Sequence, residues 1–358
     1  MRAFPLPIAG EGLTTSSEVP VSNEFDPAQL QQLAARAISQ PLVTHIYTAD
    51  PSAHVFDGAI YIYPSHDIDA GIAFNDDGDH FGMQDYHVLR MDSPDGEAVD
   101  CGVALHVDDV PWAQRQMWAP DAASRDGRWY LYFPAKDADG VFRIGVATGT
   151  RPEGPFVPEP RAIEGSYSID PAVFADDDGE HYMYFGGLWG GQLQKYRDNR
   201  FDAAHAEPAG DAPALGPRVA RMDAGMTQFA EAPREVSIVD QNGEPLRAGD
   251  HERRFFEAAW VHRYRGRYYF SYSTGNTHFL CYAVGDSPYG PFAYQGRILE
   301  PVVGWTTHHS ICAFEGRWYL FYHDAILSGG VTHLRSVKVT ELQHDDRGRI
   351  LTVHPYGA

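Results

Sequence analysis

The sequence predicts an all-β protein, a five-bladed β-propeller with one short N-terminal helix. The first observation is a glycine-centred turn followed by an alternating, aromatic-rich segment, which is typical of a β-hairpin because glycine readily adopts positive φ. This pattern occurs five times, as VFDGAIYIYPSHD, SRDGRWYLYFPAKD, DDDGEHYMYFGG, RYRGRYYFSYSTG and FEGRWYLFYHD, with turn glycines at 58, 127, 179, 266 and 316. The second is their spacing, because intervals of 69, 52, 87 and 50 residues leave room for about four short strands in each repeat. Such repeats favour a propeller over the alternative, a β-sandwich with similar hairpins.

One segment has the signals of a helix. Asp26 is suited to the N-cap and Pro27 to the first turn, AQLQQLAARAI follows, and Pro41 marks the end. We therefore expect residues 1–40 to form an N-terminal extension whose helix packs outside the sheets, and residues 41–358 to form the propeller. We expect part of the stretch from about 197 to 254 to supply outer strands of the third blade and the rest to form a loop near the rim.

The charge balance narrows the classes of ligand. The chain has 49 acidic and 28 basic residues and a formal net charge of −21, so its average field repels nucleic acid and anionic membranes. Neutral sugars feel no such repulsion and stack on aromatic rings, of which the sequence has 20 Tyr, 19 Phe and 7 Trp. We expect a sugar ligand, no nucleic acid and no membrane partner, and we leave the formation of a homo-oligomer open.

The cysteines indicate neither a zinc site nor a disulfide framework. Cys101, Cys281 and Cys312 are far apart in sequence and lack CxxC or Cys/His ligand spacing. The N-terminal segment has no apolar run of signal-peptide length, and nowhere in the sequence do about 18 apolar residues run together. We therefore expect a cytoplasmic protein, or a periplasmic or secreted one if an export signal has been removed.

A polar residue precedes each turn glycine by six to nine positions, at the head of the repeat: Asp50, Asp121, Asp170, Glu257 and His308. The first strand of a propeller blade lines the central channel, so equivalent positions in the repeats converge on the axis. Taken singly, an Asp-Pro pair is a common turn opener and Glu257 is as well explained by a buried ion pair. Three carboxylates at matching places in three repeats are harder to explain in this way.

Converging carboxylates with unequal surroundings are what the hydrolysis of a glycosidic bond requires. One carboxyl must stay protonated to donate to the leaving oxygen, and another must stay ionised to activate water. Glu257, between Phe256 and Ala258, is the candidate acid because apolar surroundings raise the pKa of a carboxyl. Asp50, in the more polar TADPS, is the candidate base, and Asp170 would keep the pKa of the acid high and orient it.

These residues resemble those of glycoside hydrolase family 43, whose members are five-bladed propellers acting on xylosides and arabinosides. The resemblance covers roughly residues 45 to 345, and its pieces are Ala49-Asp50-Pro51, Trp118-Ala119-Pro120-Asp121, Ile169-Asp170-Pro171, Glu257 and His308 in TTHHS. It implies that Asp50 is the general base, Glu257 the general acid and Asp170 the residue that tunes the acid, with inversion at the anomeric carbon. The sequence departs from many relatives after the acid, where Ala258-Ala259-Trp260 replaces Gly-Pro or Ala-Pro.

The resemblance also implies a metal ion and two sugar contacts. His308 matches a histidine near the axis that helps to hold a hydrated calcium ion in a supporting role, and the neighbouring His309 is the rival for that position. Trp118 is expected to stack on a pyranose ring, with a place in the core as the alternative. Arg335, in THLRSVKV, matches a pocket arginine that hydrogen-bonds sugar hydroxyls, with an exposed position on an outer strand as the alternative.

FSYSTG, YFGGLWGGQLQ and MQDYHVL resemble the β-xylosidase branch of the family most closely. We therefore expect an inverting, exo-acting β-1,4-xylosidase that releases xylose from the non-reducing ends of xylo-oligosaccharides, with α-L-arabinofuranosidase activity as a further property. The alternatives are an arabinan-degrading enzyme of the same family, with an open groove, and a non-catalytic propeller that binds glycans. An invertase-like propeller is disfavoured because Ile169 and Ala258 stand where its Arg and Cys are expected.

Overall fold

Five β-sheets arranged in a ring form the computed structural model, which describes residues 26–357. In the first sheet the strands pair in sequence order and antiparallel: β1 (Tyr47–Phe56), β2 (Ala59–Asp67), β3 (Asp85–Met91) and β4 (Val99–His106). A 3₁₀ turn at Val107–Asp109 leads to the second sheet, which has the same order: β5 (Asp121–Arg125), β6 (Arg128–Lys136), β7 (Phe142–Gly149) and β8 (Val157–Pro158).

The third blade contains the longest excursions. Its inner strands are β9 (Ala172–Ala175) and β10 (His181–Phe185). Two 3₁₀ turns (Trp189–Gly191 and Leu193–Lys195) and a small hairpin of β11 (Tyr196–Arg197) and β12 (Arg200–Phe201) follow. The outer strands are β13 (Arg218–Arg221) and β14 (Arg234–Glu235). Part of the stretch from 197 to 254 therefore supplies the outer strands of this blade, as predicted, whereas Ile238–Val239 pairs with blade IV, which was not predicted.

The last two blades complete the ring. Blade IV consists of β16 (Glu257–Tyr264), β17 (Arg267–Ser273), β18 (Leu280–Gly285) and β19 (Phe292–Leu299), with the short β15 (Ile238–Val239) added parallel to its outer edge. Blade V consists of β20 (His309–Phe314), β21 (Arg317–Asp324) and β22 (Ser336–Leu342). The first strands contact one another in cyclic order, β1 to β5 to β9 to β16 to β20 and back to β1. The predicted five-bladed propeller is confirmed.

Turn chemistry explains why the repeats are visible in the sequence. In four of the five turns that join the first two strands of a blade, the turn glycine and the residue before it both have positive φ; the preceding residues are Asp57, Asp126, Arg265 and Glu315. Two successive positive φ values define the type I′ turn, whose twist matches that of the flanking strands. The turn of blade III has a longer loop, in which Asp176 N–H donates to Glu180 O and Gly179 N–H to Asp176 O.

A buried tyrosine recurs on the second strand of every blade, and in the first three blades it connects to the next blade. The five rings are at most 1% exposed: Tyr63, Tyr132, Tyr184, Tyr272 and Tyr322. In the first three blades the hydroxyl donates to a carbonyl in the loop before the outermost strand of the next blade, at Pro152 (2.7 Å), Met226 (2.9 Å) and Pro288 (2.5 Å). The tyrosines therefore fill the space between sheets and satisfy backbone carbonyls that would otherwise be buried alone.

The helix α1 (Pro27–Arg36) begins as predicted, with the Asp26 side chain accepting the N–H of Ala28 at 3.0 Å. It ends earlier than predicted, because the N–H of Ile38 instead donates to Pro355 O at 3.0 Å. Leu30 packs against a small cluster outside the ring. The backbone then binds β22 through Leu42 N–H to Val337 O (2.8 Å), which closes the ring. Residues 1–25 of the predicted extension lie outside the described residues, and no helix between 26 and 357 is long and apolar enough to span a membrane.

Candidate active site

Backbone irregularities bring the acidic side chains to the axis. The pairing of β1 with β2 shifts between Ala49 and Ser52, and within this bulge Asp50 has a φ of 49°. Asp170 has a φ of 56° immediately before β9. Aspartate tolerates the left-handed region better than most residues, and a bulge re-aims a side chain that would otherwise follow the alternation of the strand.

Relative to the residue with positive φ in each blade, the third acid, Glu257, lies one position earlier than the other two acids. In blade IV the pairing shifts between Glu257 and Trp260, and the residue with positive φ is Ala258, at 62°. Asp50 and Asp170 thus hold the left-handed position themselves, whereas Glu257 precedes it. The matching of all three acids by their distance from the turn glycines was therefore only approximate, because the bulges alter the count.

All three acids line one pocket at one end of the channel, and the space within this pocket and its open mouth is about 640 Å³. Trp118, His308 and Arg335 also line it, whereas His309 and Asp121 do not. Much of the remaining wall comes from the loop between β2 and β3 and from aromatic residues of blades III to V: Phe74, His80, Phe81, Trp189, Phe256 and Trp305. Side chains that are up to 285 residues apart in sequence thus line one pocket.

Asp50 is held as a carboxylate. Burial alone would raise its pKa, but the charge of Arg335, the nearby His308 and His323, and the hydroxyl of Ser65 together lower it to about 2. Arg335 Nη1 donates to Asp50 Oδ1 at 2.8 Å, and Ser65 Oγ donates to Oδ2 at 2.8 Å. The Asp50 N–H donates to Nδ1 of His323 at 3.0 Å, so both the backbone and the side chain of Asp50 are fixed.

Arg335 is a fully engaged positioning group. Its Nε and Nη2 donate to the two oxygens of Asp67 at 2.8 Å each. Nη1 and Nη2 also donate to the oxygens of Asp50 at 2.8 and 3.2 Å, and Nη1 donates to Thr306 Oγ1 at 2.9 Å. These five bonds use all five N–H groups of a guanidinium. Arg335 thus lies in the pocket and not on an exposed outer strand, with its donors directed at Asp50 and Asp67.

Glu257 and Asp170 have the opposite electrostatic environment. Burial, and then the charge of its acidic neighbours, raises the pKa of both carboxyls. Asp170 Oδ2 accepts the N–H of Ala258 at 2.9 Å, which favours its ionised form and fixes the backbone next to the acid. Within residues 26–357, no backbone N–H donates to the Glu257 carboxyl. Of these two neighbouring carboxyls, we therefore assign the proton to Glu257 and the negative charge to Asp170.

The two histidines of TTHHS have different surroundings. His308 Nδ1 lies 3.7 Å from Asp50 Oδ1 and 4.0 Å from Asp170 Oδ2, and burial lowers its pKa to about 4, which leaves a neutral imidazole facing the pocket. His309 Nε2 is 2.6 Å from Ser271 Oγ, and its buried Nδ1 has no hydrogen-bond partner in the described part of the chain. A neutral imidazole beside two carboxylates fits one contact to a hydrated cation, and His308 meets that condition.

Trp118 forms part of the pocket wall and is 9% exposed. Its Nε1 donates to Phe81 O at 2.8 Å, and its ring packs against Phe142 at 4.7 Å between centroids. A Cβ at Gly78 would come within 2.6 Å of the indole, so only glycine allows the β2–β3 loop to lie this close. Trp189 and Trp305, whose ring centroids are 5.7 Å apart, are half-buried in the same pocket, and Phe74 is 48% exposed there.

Asp121 ties three blades together below the pocket. One of its oxygens accepts Ser52 Oγ and lies 2.6 Å from His54 Nε2, and the other accepts the N–H of Val173. With 1% exposure it has no route to a ligand in the pocket. The fourth acidic head of the repeats is therefore a structural link between first strands.

Asp67 and His323 are two site residues that the sequence analysis did not predict. Each lies in the polar end of an otherwise apolar second strand, in YIYPSHD and RWYLFYHD. A charged or imidazole side chain that interrupts such a run near the end of the second strand in two repeats was a visible signal. It indicates that the strand has reached the polar end of the channel.

Comparisons with known proteins agree with this geometry. The family described as Glycosyl hydrolases family 43 matches residues 101–349. Xylosidase/arabinosidase 43A of Humicola insolens is 64% identical over 324 residues, which span 88% of this chain and 99% of that protein. A family 43 enzyme of Xanthomonas citri complexed with xylose is 68% identical, with a TM-score of 0.90 over 93% of this chain and 98% of that one.

A further solved structure is a family 43 β-xylosidase/α-arabinofuranosidase from a compost microbial metagenome, in complex with xylotriose and in a calcium-free form. It is 64% identical, with a TM-score of 0.88 over 89% of this chain and 98% of that one. The family match spans more than half of the sequence, and these relatives match over almost their whole length. The chain therefore belongs to glycoside hydrolase family 43.

Proposed function

We propose that this glycoside hydrolase is an inverting, exo-acting β-1,4-xylosidase that releases xylose from the non-reducing ends of xylo-oligosaccharides, with α-L-arabinofuranosidase activity on the same site. The main support for the proposal is that Asp50 and Glu257 line the same pocket while their pKa values are shifted in opposite directions, which favours an ionised Asp50 and a protonated Glu257. The xylose and xylotriose complexes of the relatives, and their xylosidase/arabinosidase names, support this choice of sugar.

The two carboxyl groups supply complementary steps. Asp50 takes a proton from a water molecule as that water attacks the anomeric carbon, and Glu257 gives its proton to the glycosidic oxygen as the C–O bond breaks. The attack from the face opposite the leaving group inverts the anomeric centre. Proton exchange with solvent then restores an ionised Asp50 and a protonated Glu257.

The shape of the pocket supports action at chain ends. Its floor contains the carboxylates and His308, and its walls include the β2–β3 loop, Trp189 and Trp305. Aromatic faces bind the apolar face of a pyranose, and a cavity closed at the floor accepts a terminal residue better than the middle of a polymer. An arabinan-degrading enzyme would need an open groove in which sugars continue on both sides of the scissile bond.

The first experiment compares Asp50→Asn and Glu257→Gln on xylobiose and on an aryl xyloside with a good leaving group. On xylobiose we expect each variant to lose about 10²-fold to 10⁴-fold in kcat, the usual contribution of a positioned acid or base. The aryl xyloside needs little help from an acid, so it should restore turnover in the Glu257 variant but not in the Asp50 variant. Asp108→Asn, at an exposed site, is the control.

Two results would contradict this assignment. Near-normal turnover of xylobiose by either variant would remove that residue from the mechanism, and tight xylose binding without hydrolysis by the unmodified protein would favour a glycan-binding propeller. Proton NMR of the first product should show α-xylose from a β-linked substrate, whereas β-xylose would mean retention. Release of arabinose from an aryl arabinofuranoside tests the second activity.

We further propose that a hydrated calcium ion binds beside His308 in a supporting role. A bound cation would supply positive charge that favours the ionised form of nearby carboxylates. We expect a chelator to lower activity and added Ca²⁺ to restore it, and His308→Ala to lose the response to Ca²⁺ while His309→Ala keeps it. An unchanged rate in chelator would contradict the proposal, and loss of the response only in the His309 variant would reverse the choice of histidine.

A further inference from the structure

A second cluster of potential metal ligands lies on blade I, outside the pocket. His66, Asp85 and His87 each offer one ligand atom, and these three atoms lie within 4.8 Å of one another. The neighbours of His66 on β2, Ser65 and Asp67, face the active site. Because side chains alternate along a strand, His66 points to the other face of the blade.

Strand pairing places these ligands together. In the pairing of β2 with β3, Ser65 stands opposite Tyr86, which sets His66 opposite Asp85. His87 follows Asp85 by two residues and therefore shares its face. His66 Nδ1 lies 2.6 Å from Asp85 Oδ1, and the two imidazole centroids are 4.7 Å apart. A pair of adjacent strands is a rigid support, so little chain entropy would be lost when an ion binds.

A fourth residue orients one of the histidines. Asp100 accepts a hydrogen bond from His87 Nδ1 at 2.9 Å, and it also accepts the N–H of Gly102 at 2.8 Å. A carboxylate at Nδ1 fixes the tautomer of the imidazole and leaves the lone pair of Nε2 available to a metal. No hydrogen bond from residues 26–357 engages that Nε2. The arrangement of carboxylate, histidine and open nitrogen is the one that surrounds many protein-bound zinc ions.

We propose that His66, Asp85 and His87 form a binding site for one transition-metal ion of the zinc type, with Asp100 as the supporting carboxylate and water completing the coordination. Two nitrogens and one oxygen suit Zn²⁺ or Co²⁺, whereas Ca²⁺ and Mg²⁺ prefer oxygen ligands alone. The side chains of the three ligands are 12 to 19% exposed, so an ion can enter from solvent. The site is separate from the calcium position proposed beside His308.

The test measures Zn²⁺ binding by titration calorimetry after treatment with a chelator, in a buffer that contains excess Ca²⁺ to occupy any oxygen-rich site. The full chain should bind one equivalent of Zn²⁺ that is lost in His66→Ala and in His87→Ala. Asp100→Asn should weaken binding by about 10-fold to 100-fold, as is usual when a supporting carboxylate is removed. Co²⁺ should give visible absorption bands of a nitrogen- and oxygen-ligated ion.

Two further variants control for the loss of an unrelated histidine and for unfolding of the alanine variants. His205→Ala removes a histidine from an isolated His–Asp pair on another blade, and it should leave the binding unchanged. Asp85→Asn removes a charged ligand while preserving volume, which covers the case in which an alanine variant unfolds; melting curves show whether each variant is folded. The proposal is overturned if the unmodified protein binds no Zn²⁺, or if folded His66, His87 and Asp85 variants bind it with unchanged stoichiometry and affinity.

Discussion

At the scale of single residues, the site works by giving two carboxyl groups of one pocket opposite protonation states. Asp50 is buried and Glu257 is half-buried, and this loss of contact with solvent would by itself raise the pKa of each. The difference is that the guanidinium of Arg335 and the hydroxyl of Ser65 both donate to Asp50, whereas the charges near Glu257 are mainly negative. In the mechanism that we propose, these partners, and not the depth of burial, make Asp50 the base and Glu257 the acid.

Arg335→Gln should move the acidic limb of the pH profile of kcat/KM to higher pH. The pKa of Asp50 is lowered from 3.8 to about 2, so the unmodified enzyme keeps its base ionised far into the acidic range. Without the guanidinium charge the burial effect dominates, the pKa of Asp50 rises, and activity is lost at a higher pH as the solution is acidified. Rates between pH 3 and 8 on an aryl xyloside measure the shift.

Arg317→Gln, which removes an exposed arginine from an ion pair with Glu341, is the matched control for that experiment and should leave the profile in place. Melting curves at each pH separate a shifted limb from acid unfolding. If the acidic limb of the folded Arg335 variant coincided with that of the unmodified enzyme, the guanidinium would not be what holds Asp50 ionised.

The sequence predicted the identities of these residues better than their contacts. Asp50, Asp170 and Glu257 could be found because acids recurred near the heads of repeats, and Arg335 could be found by resemblance. That four of the five guanidinium donors of Arg335 go to Asp50 and Asp67 could not be foreseen, because Asp67 and Arg335 are 268 residues apart and no local pattern records their pairing. Contacts between blades depend on how the ring closes.

At the scale of elements, the recurring tyrosine of each second strand sets the spacing between blades. Its ring fills the gap between two sheets, and in the first three blades its hydroxyl donates to a carbonyl of the next blade. The hairpins were predictable because type I′ turns require particular residues. The parallel addition of Ile238–Val239 to blade IV was not predictable, because a two-residue strand has no periodicity and its partner is distant.

Tyr132→Phe should destabilise the fold without altering the active site. The ring and its packing remain, but the carbonyl of Met226 loses its donor, and an unsatisfied buried acceptor costs about 1–3 kcal/mol. The free energy of unfolding from denaturant titration measures the effect. Tyr47→Phe is the control, because no hydrogen bond of the Tyr47 hydroxyl occurs within residues 26–357, and equal stability of both variants would show that the inter-blade bond contributes nothing.

At the scale of the whole molecule, the ring is closed by non-covalent contacts between its two ends. Leu42 and Thr48 donate backbone hydrogen bonds to Val337 and Arg335 in the last blade. The first and last blades also share a hydrophobic cluster. The active site depends directly on this closure, because Asp50 lies on the first strand of the ring whereas Arg335 and His323 come from the last blade. The fold and the base must therefore form together.

The folded protein places Glu257 where its ionised form is unfavourable, and this lowers the free energy of unfolding. The substitution Glu257→Gln should remove this destabilisation. The folded-state pKa of Glu257 is raised above its ordinary value of 4.5, so between these two pH values the unfolded chain is ionised while the folded protein keeps the proton. Unfolding then releases a proton, and the stability contributed by this group falls as pH rises through the window. The neutral glutamine has no such penalty.

We expect the Glu257→Gln variant to be inactive on xylobiose yet more stable at pH 7, by on the order of 1–3 kcal/mol, with a smaller difference near pH 4. Denaturant unfolding at the two pH values measures this, and a variant that is less stable at pH 7, or equally stabilised at both, would mean that Glu257 is not held protonated by the folded ring.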